Sequence, residues 1–324
     1  MPLKPLRGAC GRRNGPMAGR ATEFALIEAL FRPLAEGFPG ALGLEDDAAL
    51  LPAGEEMVVT QDGLVAGVHF PTGETPEAIA AKALRVNLSD LAAMGAKPLA
   101  YLLTLVLPDD IDDAWLRRFC ASLGEEQTRW GIALAGGDTV STPGPLTLSV
   151  TALGSVAQPL RRSGARPGDS VYVSGTIGDA VLGLAALQGE LPGRGHETLV
   201  ERLRLPTPRL ALGRELVGVA SACADVSDGL VADAGHIAEA SGVAIVLDAD
   251  AVPLSDAARD IVKIEPSWLP RMLTGGDDYE LVFTAIDAVA GATRIGSVEA
   301  GEGVSVRNAD GSPMPLGETG YRHF

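Results

Sequence analysis

The chain has 324 residues, more than one hydrophobic core usually serves, so two domains are expected. Its net charge of −16 argues against nucleic acid or an anionic membrane as a main partner. A hydrophobic content of 46% with 40 glycines suits a compact α/β protein with many tight turns.

Residues 1–20 carry Lys4, Arg7, Arg12, Arg13 and Arg20 without an acid or an apolar stretch. They are expected to be a disordered basic extension, or the product of a start codon upstream of Met17, and not a secretory signal. No apolar run is long enough to span a membrane. Cys10, Cys120 and Cys223 form no CxxC pair, which predicts reduced thiols and a cytoplasmic setting.

The fold is expected to begin near Thr22 with a helix through Phe24, Ile27, Leu30 and Phe31. Met57–Thr60 reads as a short strand delivering Asp62 at its end. Thr75-Pro76 is an N-cap followed by proline at the first helical position. That helix is expected to run to Met94, stop at Gly95 and be buried, because it is apolar on most sides. Leu99–Leu107 reads as a strand, Asp112 or Asp113 as the start of a helix, and Ile132–Ala135 as a strand ending in a Gly-Gly-Asp-Thr turn. Leu146–Ala152 alternates like a half-buried strand.

Pro159, Gly164, Pro167 and Gly168 punctuate the boundary between an N-terminal domain, 21–158, and a C-terminal domain, 159–324. Val171–Val173 opens the second half as a strand, and Gly178-Asp179 leads into a helix. Thr207-Pro208 is expected to start another helix, and Asp228 to cap one ending near Gly242. Val243–Leu247, Tyr279–Thr284 and Thr293–Val298 read as strands, and Asn308–Gly311 as a hairpin-like turn.

Chemistry is concentrated in aspartates beside glycines. The segments are Gly136–Thr139, Asp225–Gly229 and Thr274–Glu280, with Asp46-Asp47, Asp62 and Asp90 repeating the theme. Glycine allows close backbone approach, and carboxylates are hard ligands suited to Mg²⁺ carried by phosphates. No lysine follows a glycine, so no Walker loop exists, and phosphate charge falls to metal ions, backbone amides and arginine.

Asp90 lies in the C-terminal half of an apolar helix, where the dipole disfavours an anion. Two readings stand: pairing with Arg85 or Lys97 or plain exposure, or a metal or phosphate site shared with Asn87. Asp228 fits either an N-cap or a ligand. His69 fits a structural role or a substrate contact. Arg161-Arg162 fits a surface pair or a bidentate grip on polyphosphate.

Together these segments resemble the thiamine-monophosphate kinase family, within the superfamily of aminoimidazole ribonucleotide synthetase and selenophosphate synthetase. The likeness runs from about Glu23 to Phe324. Asn87–Gly95, read Asn-Leu-Ser-Asp-Leu-Ala-Ala-Met-Gly, together with Asp225–Leu230 is its most specific part. The resemblance implies a two-domain fold of α/β and α+β type. Its N-terminal domain would form an intersubunit β-barrel in a homodimer, and its C-terminal domain would be α+β. It implies direct in-line transfer of the ATP γ-phosphoryl group to thiamine monophosphate, the last step to thiamine diphosphate, assisted by several Mg²⁺. By position, Asp47, Thr60, Gln61, Asp62, Asp90, Asp138, Asp225 and Asp228 are the implied metal residues. Gly137, Asp138, Arg162 and Ser227 are implied for ATP, and His69, Asp277 and Tyr321 for the thiamine substrate. Gln61 stands where the family has Ser or Thr, and Asp277 where it more usually has Glu. The selenophosphate synthetases would want a reactive cysteine in a glycine-rich N-terminal loop, which Cys10-Gly11 only faintly echoes. The hydrogenase-maturation relatives end in cysteine, whereas this chain ends in Phe324. A non-catalytic Mg-nucleotide binder is the reading from a different class.

Overall fold

The computed structural model describes residues 27–39, 41, 56–191, 195–317 and 320. Cys10, Asp46, Asp47 and Tyr321 lie outside the described residues, as does the start of the expected first helix.

A π-helical turn α1 (Ile27–Phe31) runs into the short α2 (Arg32–Ala35). β1 (Glu56–Val65), β2 (Lys97–Leu107), β3 (Ala133–Ser141) and β4 (Thr147–Val156) form one sheet in the order β1-β4-β2-β3. Only the β2–β3 pair is parallel. Helix α3 (Pro76–Ala93) connects β1 to β2, and α4 (Asp113–Trp130) connects β2 to β3. Each starts on a side-chain cap: Thr75 Oγ1 accepts from Ala78 N at 3.2 Å, and Asp112 Oδ1 from Trp115 N at 2.8 Å. Such caps satisfy amide donors that the helix itself leaves open. α3 is buried along nearly its whole length, as its all-round apolar sequence requires.

The second sheet has the order β10-β7-β9-β5-β8-β6. Its strands are β5 (Ser170–Ser174), β6 (Ala222–Asp225), β7 (Ala244–Asp248), β8 (Leu281–Ala285), β9 (Ala292–Glu299) and β10 (Gly303–Arg307). The helices of this half are α5 (Asp179–Gln188), α6 (Glu197–Arg204), α7 (Leu210–Glu215), α8 (Leu230–Ser241), α9 (Asp256–Ile264) and α10 (Trp268–Thr274). The largest core cluster joins α3 and the first sheet to Leu210, Leu216, Cys223, Leu281 and Phe283 of the second half. A Cβ on Gly213 of α7 would stand 2.0 Å from the carbonyl oxygen of Ala92. Glycine there lets α7 lie directly against the end of α3.

Four expectations are corrected. β1 and β3 run on through Asp62 and the Gly-Gly-Asp-Thr segment, so neither motif ends its strand. Just before the glycines β3 shifts register at Ala135, between its pairings with Tyr101 and Leu102, and Gly136 and Gly137 then pair with Leu102 and Leu103. Thr207-Pro208 does not open a helix, because α7 starts at Leu210. Asp228 does not cap α8: its N-cap position is Gly229 and carries no side-chain cap. That work falls to Asp233, inside the helix, whose Oδ2 accepts from the amides of Ser227, Asp228 and Gly229 at 3.0, 3.1 and 3.1 Å. Asp90 pairs with neither basic candidate. Arg85 is engaged by Glu126 at 2.7 Å and by the Pro206 carbonyl, and Lys97 is exposed.

Candidate active site

Three elements deliver three carboxylates to one place. β1 alternates, so Val58, Thr60, Asp62 and Leu64 share the face against α3, while Val59 and Gln61 point the other way. Thr60 Oγ1 donates to Asp90 Oδ2 of α3 at 2.5 Å. One helical residue earlier, Ser89 Oγ donates to Asp225 Oδ2, at the end of β6, at 2.8 Å. Burial, and then the charge of Asp90, push the Asp62 carboxyl up to about 7. Burial raises Asp90 as well, against the pull of the Thr60 hydroxyl and the Arg162 cation. Asp225 lies well above the usual carboxylate range through burial, followed by the charges of Asp90 and Asp233. Among the described residues, these three anions meet two hydroxyls and one arginine field, which leaves negative charge in excess.

Beside Asp62 opens a cavity of about 890 Å³. Its lining includes His69 and Lys82 from the first half, and Ser227, Asp228, Asp277 and Tyr279 from the second. A smaller hollow of about 430 Å³, walled by Phe70, Ile79 and Leu187, shares His69, Lys82 and Asp277 with it. Lys82 Nζ sits 2.9 Å from Asp277 Oδ2, and the Tyr279 hydroxyl donates to Asp277 Oδ1 at 3.2 Å. His69 Nδ1 accepts from the Val65 amide at 3.0 Å, which makes Nε2 the protonated nitrogen of the neutral ring.

The loop carrying Asp277 is strained and firmly held. Asp277 and Tyr279 have φ of 71° and 51°, a region that costs a non-glycine residue ~1–3 kcal/mol. Asp278 Oδ2 accepts from Gly178 N at 2.7 Å. Buried Glu280 is clamped by Ser174 Oγ at 2.6 Å, by Arg202 at 2.8 Å and by Arg209 through two contacts of 2.5 Å. The amides of Asp277 and Tyr279 donate to the Ser227 and Val226 carbonyls at 2.9 and 2.8 Å, lacing this loop to the Asp225–Gly229 turn.

Residues 45–156 match the model of AIR synthase related protein, N-terminal domain, and 166–307 that of its C-terminal domain. Thiamine-monophosphate kinase of Caulobacter vibrioides is 43% identical over 93% of this chain and 92% of its own length. The chain belongs to this family. The crystal structure of thiamine-monophosphate kinase from Stenotrophomonas maltophilia K279a is 44% identical, covers 90% of this chain and 98% of its own, and superposes with a TM-score of 0.79. The structure of AaThiL complexed with AMPPCP and TMP is 34% identical, covers 93% and 97%, and has a TM-score of 0.77.

For this family member, the geometry sorts the residues singled out in the sequence. Asp62, Asp90, Asp225 and Thr60 come together, and Asp62, His69, Ser227, Asp228 and Asp277 share the cavity. Arg162 is exposed, and its charge acts on both Asp90 and Asp233. Gly137, Asp138 and the Gln61 side chain lie elsewhere within one chain. Asp62 pairs across the sheet with Val150, Val150 with Leu103, and Leu103 with Gly137. Three strand spacings separate the ends of that row, ~14 Å along the sheet. Asp138 is exposed on the outer face with Thr104, and Gln61 Nε2 donates to Ser149 Oγ there at 2.9 Å.

Sequence reading missed Lys82, Tyr279 and Asp233. Lys82 carried one available signal, the one lysine of a mostly apolar helix, two turns before Asp90. Asp233 and Tyr279 carried none, since their partners are set by loop geometry.

Proposed function

We propose that the chain transfers the γ-phosphoryl group of ATP to thiamine monophosphate with Mg²⁺ as the resident metal, yielding thiamine diphosphate and ADP. The observation carrying this reading is the convergence of Asp62, Asp90 and Asp225 beside a cavity that runs to His69, Lys82 and Asp277. The donor set fits the metal. It is made of carboxylate and hydroxyl oxygens, which hard Mg²⁺ prefers, and it has charge to spare. Asp62, Asp90, Asp225 and Thr60 are the residues to hold it, with Asp47, Asp138 and Asp228 as further ligands. When bound, Mg²⁺ neutralises phosphate charge and keeps two polyanions in line.

The protein's own groups do the positioning. Ser227, Gly137 and Arg162 are placed here as ATP contacts, and His69, Asp277 and Tyr321 as thiamine contacts. The acceptor phosphate is ionised at neutral pH, so the chain needs no general base. The strained Asp277 loop, anchored through Asp278 and Glu280, holds its carboxylate against Lys82 before substrate arrives, which limits the ordering cost of binding. Free, buried Cys120 and Cys223 support a cytoplasmic setting, and the domain division is taken at 158/159.

The test is ADP release coupled to NADH oxidation. Turnover is expected with ATP, Mg²⁺ and thiamine monophosphate together, with thiamine diphosphate appearing one for one. ADP release that ignores thiamine monophosphate, or that needs free thiamine instead, overturns the reading.

A further inference from the structure

Asp233 is only 1% exposed, and its two oxygens have different surroundings. Oδ2 takes the three amides of the Ser227–Gly229 turn. Among the described residues, Oδ1 is buried and has no hydrogen-bond partner. A buried polar atom left this way costs stability unless something cationic meets it. The charge of Arg162 reaches this carboxylate, yet burial and the neighbouring Asp228 still push it up to about 7.

Asp228 and His236 stand beside it. One ligand atom from each of Asp228, Asp233 and His236 lies within 4.8 Å of the other two. Ligands around a small divalent ion at ~2.1 Å are spaced about 3–4 Å apart, so small side-chain rotations close the set. His236 follows Asp233 by three residues in α8 and shares its face. Two carboxylates with an imidazole are a different donor set from the all-oxygen Asp62/Asp90/Asp225 group. An imidazole nitrogen favours Mn²⁺, Co²⁺, Ni²⁺ or Zn²⁺ over Mg²⁺.

We propose that Asp228, Asp233 and His236 form a second divalent site, selective for a transition metal. When filled, it ties Asp228 to helix α8 and draws it away from the cavity, so the metal inhibits phosphoryl transfer. The site follows from its own three residues; the inhibition rests on the kinase reading and on the role given there to Asp228.

The experiment uses the metal-free full chain, titrated with CoCl₂ and followed by equilibrium dialysis and visible absorption. Wild type is expected to bind one more Co²⁺ per chain than His236→Ala, with an absorption band of a nitrogen-ligated ion. His236→Gln, which keeps bulk and polarity, is expected to behave as His236→Ala does and to melt with wild type. Equal stoichiometry and affinity in wild type and both variants overturns the site. In turnover assays at saturating Mg²⁺, Co²⁺ is expected to inhibit wild type at least ~10-fold more potently than His236→Ala. The two should turn over alike without Co²⁺. Equal inhibition overturns the regulatory role. Loss of thiamine-monophosphate-dependent turnover in wild type would instead strike the kinase reading, leaving the difference in Co²⁺ stoichiometry intact.

Discussion

Lys82 is the residue that ties the two halves at the cavity. It is 4% exposed within an apolar helix, and its ammonium reaches across 195 positions of sequence to Asp277. A lysine pays a large desolvation cost in such a place, and the partner carboxylate offsets it. Lys82→Met keeps the stem and removes the charge, leaving the Asp277 carboxylate, among the described residues, with the Tyr279 hydroxyl. The KM for thiamine monophosphate is expected to rise roughly ten- to hundred-fold, the scale of one charge-assisted hydrogen bond, while the KM for ATP changes little. Equal changes in both KM values would show that Lys82 acts only through the fold. Asp90→Asn separates site from scaffold in the opposite direction. It preserves shape and removes one of three crowded anions, so the metal-free protein should melt no lower than wild type, while turnover falls by orders of magnitude at limiting Mg²⁺. A variant with near-normal turnover would remove Asp90 from the metal site. The cost of crowding three carboxylates is a local charge effect that the asparagine relieves.

At the scale of elements, two loops far apart along the second half make one surface. A Cβ on Gly276 would stand 2.0 Å from the Ser227 carbonyl oxygen, a contact with backbone that no rotamer change relieves. Gly276→Ala must therefore part the Thr274–Glu280 loop from the Asp225–Gly229 turn. It is expected to lower stability by ~1–3 kcal/mol, about 2–10 °C in melting temperature, and to reduce turnover more than either loop's contacts with the core would suggest. Circular dichroism melts and the coupled assay on one preparation measure both effects, and an alanine variant with wild-type kcat and Tm would show the loops to be independent. The same elements mark what the sequence could and could not reveal. Helices α3 and α4 were legible because Thr75, Pro76 and Asp112 are local signals acting within four residues. The continuation of β1 and β3 was not legible, since glycine and aspartate inside them look like stops and only pairing with β4 and β2 keeps them extended. The capping work of Asp233 was hidden because it comes from inside the helix, so Asp228 looked like the cap. Gathering Asp62, Asp90 and Asp225 required knowing that β1, α3 and β6 meet, which spacing along the chain does not encode.

On the scale of the whole molecule, the outer face of the first sheet is, among the described residues, only partly covered. α2 and Phe38 cover one end of it, packed with Ala100, Ala133 and Leu153. Beyond them Val59, Leu102 and Val140 are 59%, 39% and 42% exposed, on strands β1, β2 and β3. Among the described residues, β1 and β3 are also the two edges of the sheet. A twisted four-stranded sheet with an apolar face and open edges is suited to closing against a second copy of itself, which removes the edges as a barrel does. A homodimer, which the family resemblance implies, would supply such a partner. It also bears on the site, because Asp138 lies on this face and, like Gly137, on the edge strand remote from Asp62. Closing edge β1 of one copy toward edge β3 of the other would bring the partner copy's equivalents of Gly137 and Asp138 toward Asp62, which a single chain holds ~14 Å apart along the sheet. Leu102→Glu places a charge at the centre of this face without touching the cavity or the core. The wild type is expected to elute as a dimer by light scattering, and Leu102→Glu as a folded monomer with turnover reduced at least ~100-fold. A wild type that is monomeric at assay concentration, or a monomeric Leu102→Glu that retains full turnover, would show that one chain builds the whole site and that Asp138 has no part in it.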